Sequence, residues 1–242
     1  MDLPEIPNEQ QLVSILSQII SGQNASELEK YFKKYLKNPQ SVQDLFNQMI
    51  NNTEPQIRQL ASVLLRKKIN FHWQNLPSET QTHIKQSLIN QITNEPEAIV
   101  RKNIASLVAA LGSFIISTWP ELLTFINTCV ESDSVAAKEI GLYLLAELME
   151  SEVACEFLKP YQENLVQLFA KSLSDTSSRE IRKNAMKALG NHSTSAEDTE
   201  SVKYIVDLIP QMMNVLNECL EAGDEELVVF SFVVFDGLLD SG

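Results

Sequence analysis

Apolar positions recur at steps of three and four residues along most of the chain, and short acidic, proline- or glycine-bearing turns separate the runs. Within 54–72, Ile57, Leu60, Ala61, Leu64 and Leu65 hold one helical stripe, with Pro55 in the first turn, where a missing N–H costs nothing. Glu54 and Asp133 stand at helix starts, where the peptide dipoles favour an acid. The pattern predicts twelve helices in alternation. One set covers 7–20, 39–51, 78–92, 119–131, 157–173 and 199–221; Pro39 and Pro120 stand near the starts of two of them, and Pro210 near the start of the phrase IPQMMNVLNECL from Ile209. The other set covers 25–37, 54–72, 96–117, 133–150, 177–190 and 224–240. The stretch 190–201 reads as the one long linker and the most mobile loop.

The second set is self-similar. TEPQIRQLASVLL (53–65), NEPEAIVRKNIASLV (94–108), SDSVAAKEIGLYLL (132–145) and SDTSSREIRKNAMKALG (174–190) each pass from a polar turn through a basic residue into an apolar helix. Those basic residues, Arg58, Arg101, Lys138 and Arg182, are 43, 37 and 44 positions apart, close to the ~40–47 of HEAT or armadillo units. The expected fold is therefore all-α, a right-handed α–α superhelix of HEAT/armadillo type with about six helix pairs. In the last predicted helix, Val228, Val229, Phe230, Phe232, Val233, Val234 and Phe235 are apolar on every side. Such residues also favour strands, but register with the other helices favours a helix covered on both faces. A terminal repeat with no polar outer face implies that the array continues beyond residue 242 and that this chain self-associates through it.

Composition narrows the class further. Only 7 Gly and 9 Pro occur in 242 residues, too few for the turns of a doubly wound sheet, a β-sandwich or a barrel. The net charge of −13 argues against wrapping nucleic acid, and it is unevenly placed: residues 1–118 carry +1 and residues 119–242 carry −14. Cys129, Cys155 and Cys219 are isolated, as are His72, His83 and His192, so neither a disulfide framework nor a metal site is expected, and the thiols fit a reducing intracellular compartment. The acidic start MDLPEIPNEQ lacks the apolar core of a secretion signal. The uncharged stretch 103–120 is interrupted by Asn103, Ser106, Ser113 and Ser117 and reads as a buried helix, not a membrane span. No phosphate-binding glycine loop, zinc-protease motif or nucleophile elbow is present, so no enzyme activity and no cofactor are expected.

The segment 27–92 resembles the N-terminal domain of the importin-beta (karyopherin-beta) superfamily. The resemblance centres on IRQLASVLLRKKINFHW, where Ile57, Arg58, Ala61, Leu65, Arg66, Lys67, Ile69 and Trp73 fall on the family's pattern of an aliphatic–Arg pair, a small residue, an aliphatic run, L-K-N-x-I and a tryptophan. Lys67 departs from it, since many members have Asn there. The later phrases extend the likeness over nearly the whole chain, giving a division into 1–92, similar to the N-terminal repeats of the family, and 93–242, the repeats that follow. The armadillo groove of importin-alpha is not expected, because neither Trp73 nor Trp119 has Asn four residues on.

The resemblance implies a nuclear import receptor that binds Ran in its GTP form on the first repeats and shuttles between cytoplasm and nucleus. Helical spacing nominates Gln59, Ser62, Arg66 and Asn70 on one exposed face, and Asn103, Ser106 and Ser113 on another. Lys30, Lys33 and Lys37, with Lys67, offer basic contacts. Each of these is equally readable as an ordinary solvated face. Arg58, Arg101 and Arg182 are read as structural links between repeats, and Trp73 as a packed anchor. The acidic half suits basic cargo such as histones or ribosomal proteins, with Glu147, Glu150, Glu225 and Glu226 as candidates beside Glu152, Glu156, Glu221 and Asp224. Phe-Gly nucleoporins are implied partners without assignable residues; direct nucleic-acid binding and membrane insertion are not expected. The alternative is a HEAT scaffold subunit of a phosphatase or chromatin complex without Ran binding.

Overall fold

Helix α1 (Glu9–Ile20) starts where Asn8 and Gln11 satisfy each other's backbone N–H, each at 2.9 Å, the reciprocal cap that closes two of the open donors at a helix start. This is a computed structural model, and it describes residues 6–195, 205–225, 227–229, 231, 232 and 235. The chain divides into two compact units, 1–111 and 112–242.

The first unit holds α1, α2 (Ala25–Tyr35), α3 (Gln40–Asn51), α4 (Pro55–Arg66), the short α5 (Ile69–His72), α6 (Ser78–Asn94) and most of α7 (Ala98–Ile115). Helices α3 and α4 pack as an antiparallel hairpin, and α1 also lies on α4. Helix α4 therefore buries a wide arc, Ile57, Arg58, Ala61, Ser62 and Leu65, where an amphipathic surface helix would bury a narrower stripe. The second unit holds α8 (Pro120–Val130), α9 (Val135–Leu148), α10 (Glu152–Leu158), α11 (Gln162–Leu173), α12 (Arg179–Ser195) and α13 (Ile209–Glu221). Here α8 pairs with α9 and α11 with α12, while α9 stacks directly on α12. The described positions from 225 to 235 are helical as well. No strand occurs among the described residues.

Helix pairs thus alternate as the periodicity predicts, with five departures, one of which is α10 (Glu152–Leu158), most of which lies between the helices expected over 133–150 and 157–173. The helix expected over 54–72 turns at Lys67–Lys68, so that Ile69, His72 and Trp73 can be buried at an angle α4 does not reach. The helix expected over 157–173 is broken by a 3₁₀ turn at Lys159–Tyr161, because Pro160 has no N–H to continue the ladder. A turn at Asp207 and Leu208 precedes Pro210, which opens α13. Helix α12 runs on to Ser195, so the linker expected at 190–201 is helical in its first part, and 196–204 lie outside the described residues. Phe230, Val233 and Val234 also lie outside them; Val229 and Phe232 are exposed.

Helix α7 and its following turn, 98–118, are long and apolar enough to cross a membrane, but 61% of that window is buried within the fold. Its Val100, Ile104, Leu107 and Val108 are core residues, which accounts for the apolar run without a bilayer.

Candidate partner-binding surfaces

Lys30, Lys33 and Lys37 lie exposed on and just after α2, and Arg66 and Lys67 lie exposed at the end of α4. Lys33 pairs with Glu29 at 2.8 Å. The hydrogen bond and charge of Lys33 hold the Glu29 carboxyl below its ordinary range, and Lys67 adds to the effect.

The polar face nominated on 54–72 is not an open stripe. Gln59 is half-buried, but Ser62 is fully buried, and its hydroxyl donates to the Gln59 carbonyl at 2.7 Å; packing against both α1 and α3 leaves it no route to solvent. The turn at Lys67–Lys68 takes Asn70 off that helix, and its amide donates to the Ala110 carbonyl of α7 at 2.9 Å. On α7, Ser106 is buried with its hydroxyl on the Lys102 carbonyl at 3.1 Å, so it too departs from the exposed face. Asn103 is half-buried and donates to Ile99 at 2.7 Å, and Ser113, further along the helix, is half-buried. What remains presented to solvent is the basic set: Lys30, Lys33, Lys37, Arg66 and Lys67.

Among the acidic candidates, Glu147 and Glu150 come together at the end of α9. Partial desolvation, and then the charge of Glu147, push the Glu150 carboxyl up, with Lys187 opposing. Glu152, Glu156, Glu221 and Glu225 are exposed, while Glu226 lies outside the described residues. Asp224 is not a free acid: it pairs with Lys183 at 2.5 Å and Arg179 at 3.3 Å, holding α12 to the segment after α13.

A groove that the periodicity does not disclose runs between α8 and α11, with a volume of about 620 Å³. Leu123 on α8 faces Leu165 and Leu168 on α11 as its apolar walls, and Tyr161, Asn164 and Gln167 border it with polar groups. The signal in the sequence is faint. Leu123 and Leu168 sit beside the core positions Leu122 and Leu165 and are only half-buried, as apolar residues facing a gap are.

Comparison with known proteins bears on both surfaces. Residues 28–94 match the importin-beta N-terminal domain family, and residues 96–238 match the family described as IPO5-like, TPR repeats. The chain belongs to the importin-beta superfamily. It is 32% identical over 120 residues to a probable importin subunit beta-4 of Schizosaccharomyces pombe, an alignment covering 49% of this chain and 11% of that protein. It is 25% identical over 207 residues to human importin-4, covering 85% of this chain and 19% of the relative. This importin-family chain thus spans a fifth or less of the length of those relatives. The crystal structure of Kap121p shares the fold, with a TM-score of 0.72 and 19% identity over 96% of this chain and 22% of that one. The HEAT-type α–α solenoid expected from the period is therefore the fold class. Kap121p has also been solved bound to RanGTP, to Nup53p and to Pho4p.

Proposed function

We propose that this chain is the Ran-responsive part of a nuclear import receptor, which binds Ran·GTP on its first repeats and releases basic cargo in consequence. The observation that carries the reading is the position of the importin-beta N-terminal domain match: it spans 28–94, the segment from which the exposed basic set on α2 and α4 projects. The RanGTP complex of the structurally similar Kap121p supports the same assignment. Lys30, Lys33, Lys37, Arg66 and Lys67 are the solvent-facing contacts; half-buried Gln59 and Asn70 on the 54–72 segment, and half-buried Asn103 and Ser113 on α7, are further candidates. Ser62 and Ser106 act from beneath, by fixing backbone carbonyls of the helices that bear those contacts.

Cargo would engage the acidic second half, where Glu147, Glu150, Glu225 and Glu226 concentrate charge opposite in sign to a histone or ribosomal protein. Phe-Gly nucleoporins would seat a phenyl ring in the groove between α8 and α11, whose leucine wall suits it and whose polar border suits the peptide backbone. Coupling needs no catalysis. If Ran·GTP and cargo favour different states of the solenoid, the binding free energy of one lowers the affinity of the other by the same factor. The receptor would then shuttle between cytoplasm and nucleus.

The test is a pull-down of the chain with Ran held in its GTP and GDP states. Capture of the GTP form at least about tenfold better, a difference of roughly 1.4 kcal/mol, supports the reading. Equal capture of both forms, or of neither, returns the chain to the class of HEAT scaffolds.

A further inference from the structure

We propose that the elbow between α4 and α5, together with the end of α2, is a docking surface for an acidic protein segment that carries an apolar anchor side chain. Phe71 is 71% exposed, although Ile69, His72 and Trp73 on either side of it are buried. Its ring is nevertheless held in place. The His72 imidazole meets it edge-on at 4.9 Å between centroids, and the Lys68 ammonium lies 5.7 Å from its centre. His72 in turn places Nε2 2.9 Å from the carbonyl oxygen of Leu36, pinning α5 to the residue that closes α2.

That tie joins the elbow to the end of α2, and both segments carry exposed cations besides Lys68. Lys37 follows Leu36 directly and is exposed; Arg66 and Lys67 are exposed at the elbow itself. Glu29, the carboxylate that senses Lys67, is already paired with Lys33. A positioned aromatic with Lys68 at its face and the exposed cations Lys37, Arg66 and Lys67 on the same two segments matches a partner with the opposite arrangement, an apolar side chain between carboxylates. Anchors of this kind dominate affinity at protein interfaces, while charges at the rim steer the encounter. Nucleic acid fits less well, because a lone ring offers no succession of stacking platforms. A membrane fits less well, because one ring provides little apolar area to insert. The inference shares Lys37, Arg66 and Lys67 with the Ran reading but requires neither Ran nor nucleotide.

Fluorescence anisotropy with a labelled Asp/Glu-rich peptide bearing one central Leu tests it on the intact 242-residue chain. Saturable binding is expected, about tenfold weaker when Ser replaces the Leu, and weaker again as salt shortens the Debye length. Phe71→Ala should lose binding to a similar degree and Phe71→Trp should keep it, while Lys37→Glu with Lys67→Glu should abolish it. All three positions are exposed, and unchanged helical circular dichroism and melting confirm that the variants fold. Absence of peptide binding, equal binding of the Ser peptide, or indifference to Phe71→Ala overturns the proposal. Phe71-dependent binding to phosphatidylcholine/phosphatidylserine vesicles without peptide binding also overturns it, by assigning the patch to membranes.

Discussion

Arg58 reaches 37 residues along the chain to Glu95, donating from Nε to Oε2 at 3.0 Å and from Nη2 to Oε1 at 2.6 Å. The same guanidinium donates to the Asn52 and Thr53 carbonyls at the turn before α4, and the Glu95 side chain is wholly buried. The spacing recurs. Lys138 meets Asp175 at 3.4 Å, 37 residues on, and Arg182 donates from Nε to Glu218 at 3.0 Å, 36 residues on. Each time a cation early in one helix reaches an acid at or near the end of a later one. A buried ion pair adds little net stability over an apolar pair, but it penalises any register that leaves one partner alone. The buried Arg58–Glu95 pair therefore fixes the register of its helices, while the two more exposed pairs constrain theirs more weakly.

Glu95→Gln should accordingly destabilise the first unit by about 3–5 kcal/mol, because it leaves a buried guanidinium without its carboxylate. Glu218→Gln should cost about 1 kcal/mol or less, since Glu218 is 41% exposed and water can replace it. Urea denaturation of the two variants orders them; equal midpoints would show that the Arg58 pair contributes nothing beyond a surface contact.

Acid should weaken the fold through the same groups. Burial alone would raise the Glu95 carboxyl, but the Arg58 hydrogen bond, the Glu97 N–H, Gln91 and the Arg58 charge outweigh it and hold it below its ordinary 4.5. The Lys183 hydrogen bond lowers Asp224, and the Ser177 hydroxyl and N–H lower Asp175, both below their ordinary 3.8. A depressed folded value means that the contribution is whole above the ordinary value and is lost as pH falls through the folded one. Melting temperature should therefore hold from neutrality to just above pH 4.5 and drop below it, and Glu95→Gln should flatten the drop. A drop of the same size in that variant would separate Glu95 from the acid transition.

Helices α8 and α9 approach closely because residue 141 has no side chain. A Cβ there would lie 2.8 Å from Val130 Cγ1, 2.9 Å from Cys129 Cβ and 3.2 Å from the Val130 backbone nitrogen. Gly141→Ala should cost about 1–3 kcal/mol, the usual range for overpacking, despite alanine's better helix propensity. Gly112→Ala should cost less, because its nearest contacts are the terminal methyls of Leu122 and Leu148, which can turn aside by side-chain rotation where the Cys129 Cβ and Val130 backbone cannot. Thermal melts distinguish them; a stabilised Gly141→Ala would mean that the helices separate readily.

Much of this architecture is legible in the sequence, and the rest is hidden for definable reasons. Arg58, Arg101 and Arg182, read as links, and Lys138 stand out as basic residues repeated at the heads of similar phrases; Arg101 donates to the Glu95 carbonyl at 2.7 Å in the turn before its own helix, and the acids of the other three do not stand out, because Glu95, Asp175 and Glu218 become their neighbours only once the helices stack. The turn at Lys67–Lys68 has no glycine or proline to announce it and is imposed by burial of Ile69 and Trp73. Ser62 reads as surface because it is polar and spaced with Gln59 and Arg66, but α4 is covered from two sides. The basic residues Lys33, Lys37, Arg66 and Lys67 are exposed, as charged side chains without buried partners must be.

The groove between α8 and α11 makes the last prediction. Leu168 lines it from α11 and is only half-buried, so Leu168→Asp places a carboxylate in the apolar wall without removing a core residue such as Phe169. A desolvated charge beside a phenyl ring is unfavourable, and affinity for a Phe-Gly repeat peptide should fall about tenfold or more. Leu168→Met, which keeps volume and polarity close, should bind within about twofold of the parent. Capture of Ran·GTP should be the same in both variants, since the basic set on α2 and α4 is untouched. Isothermal titration with the peptide gives the answer: if Leu168→Asp binds as well as the parent, the Phe-Gly site is elsewhere on the chain, and Leu123, on the opposite wall, should be equally insensitive to substitution.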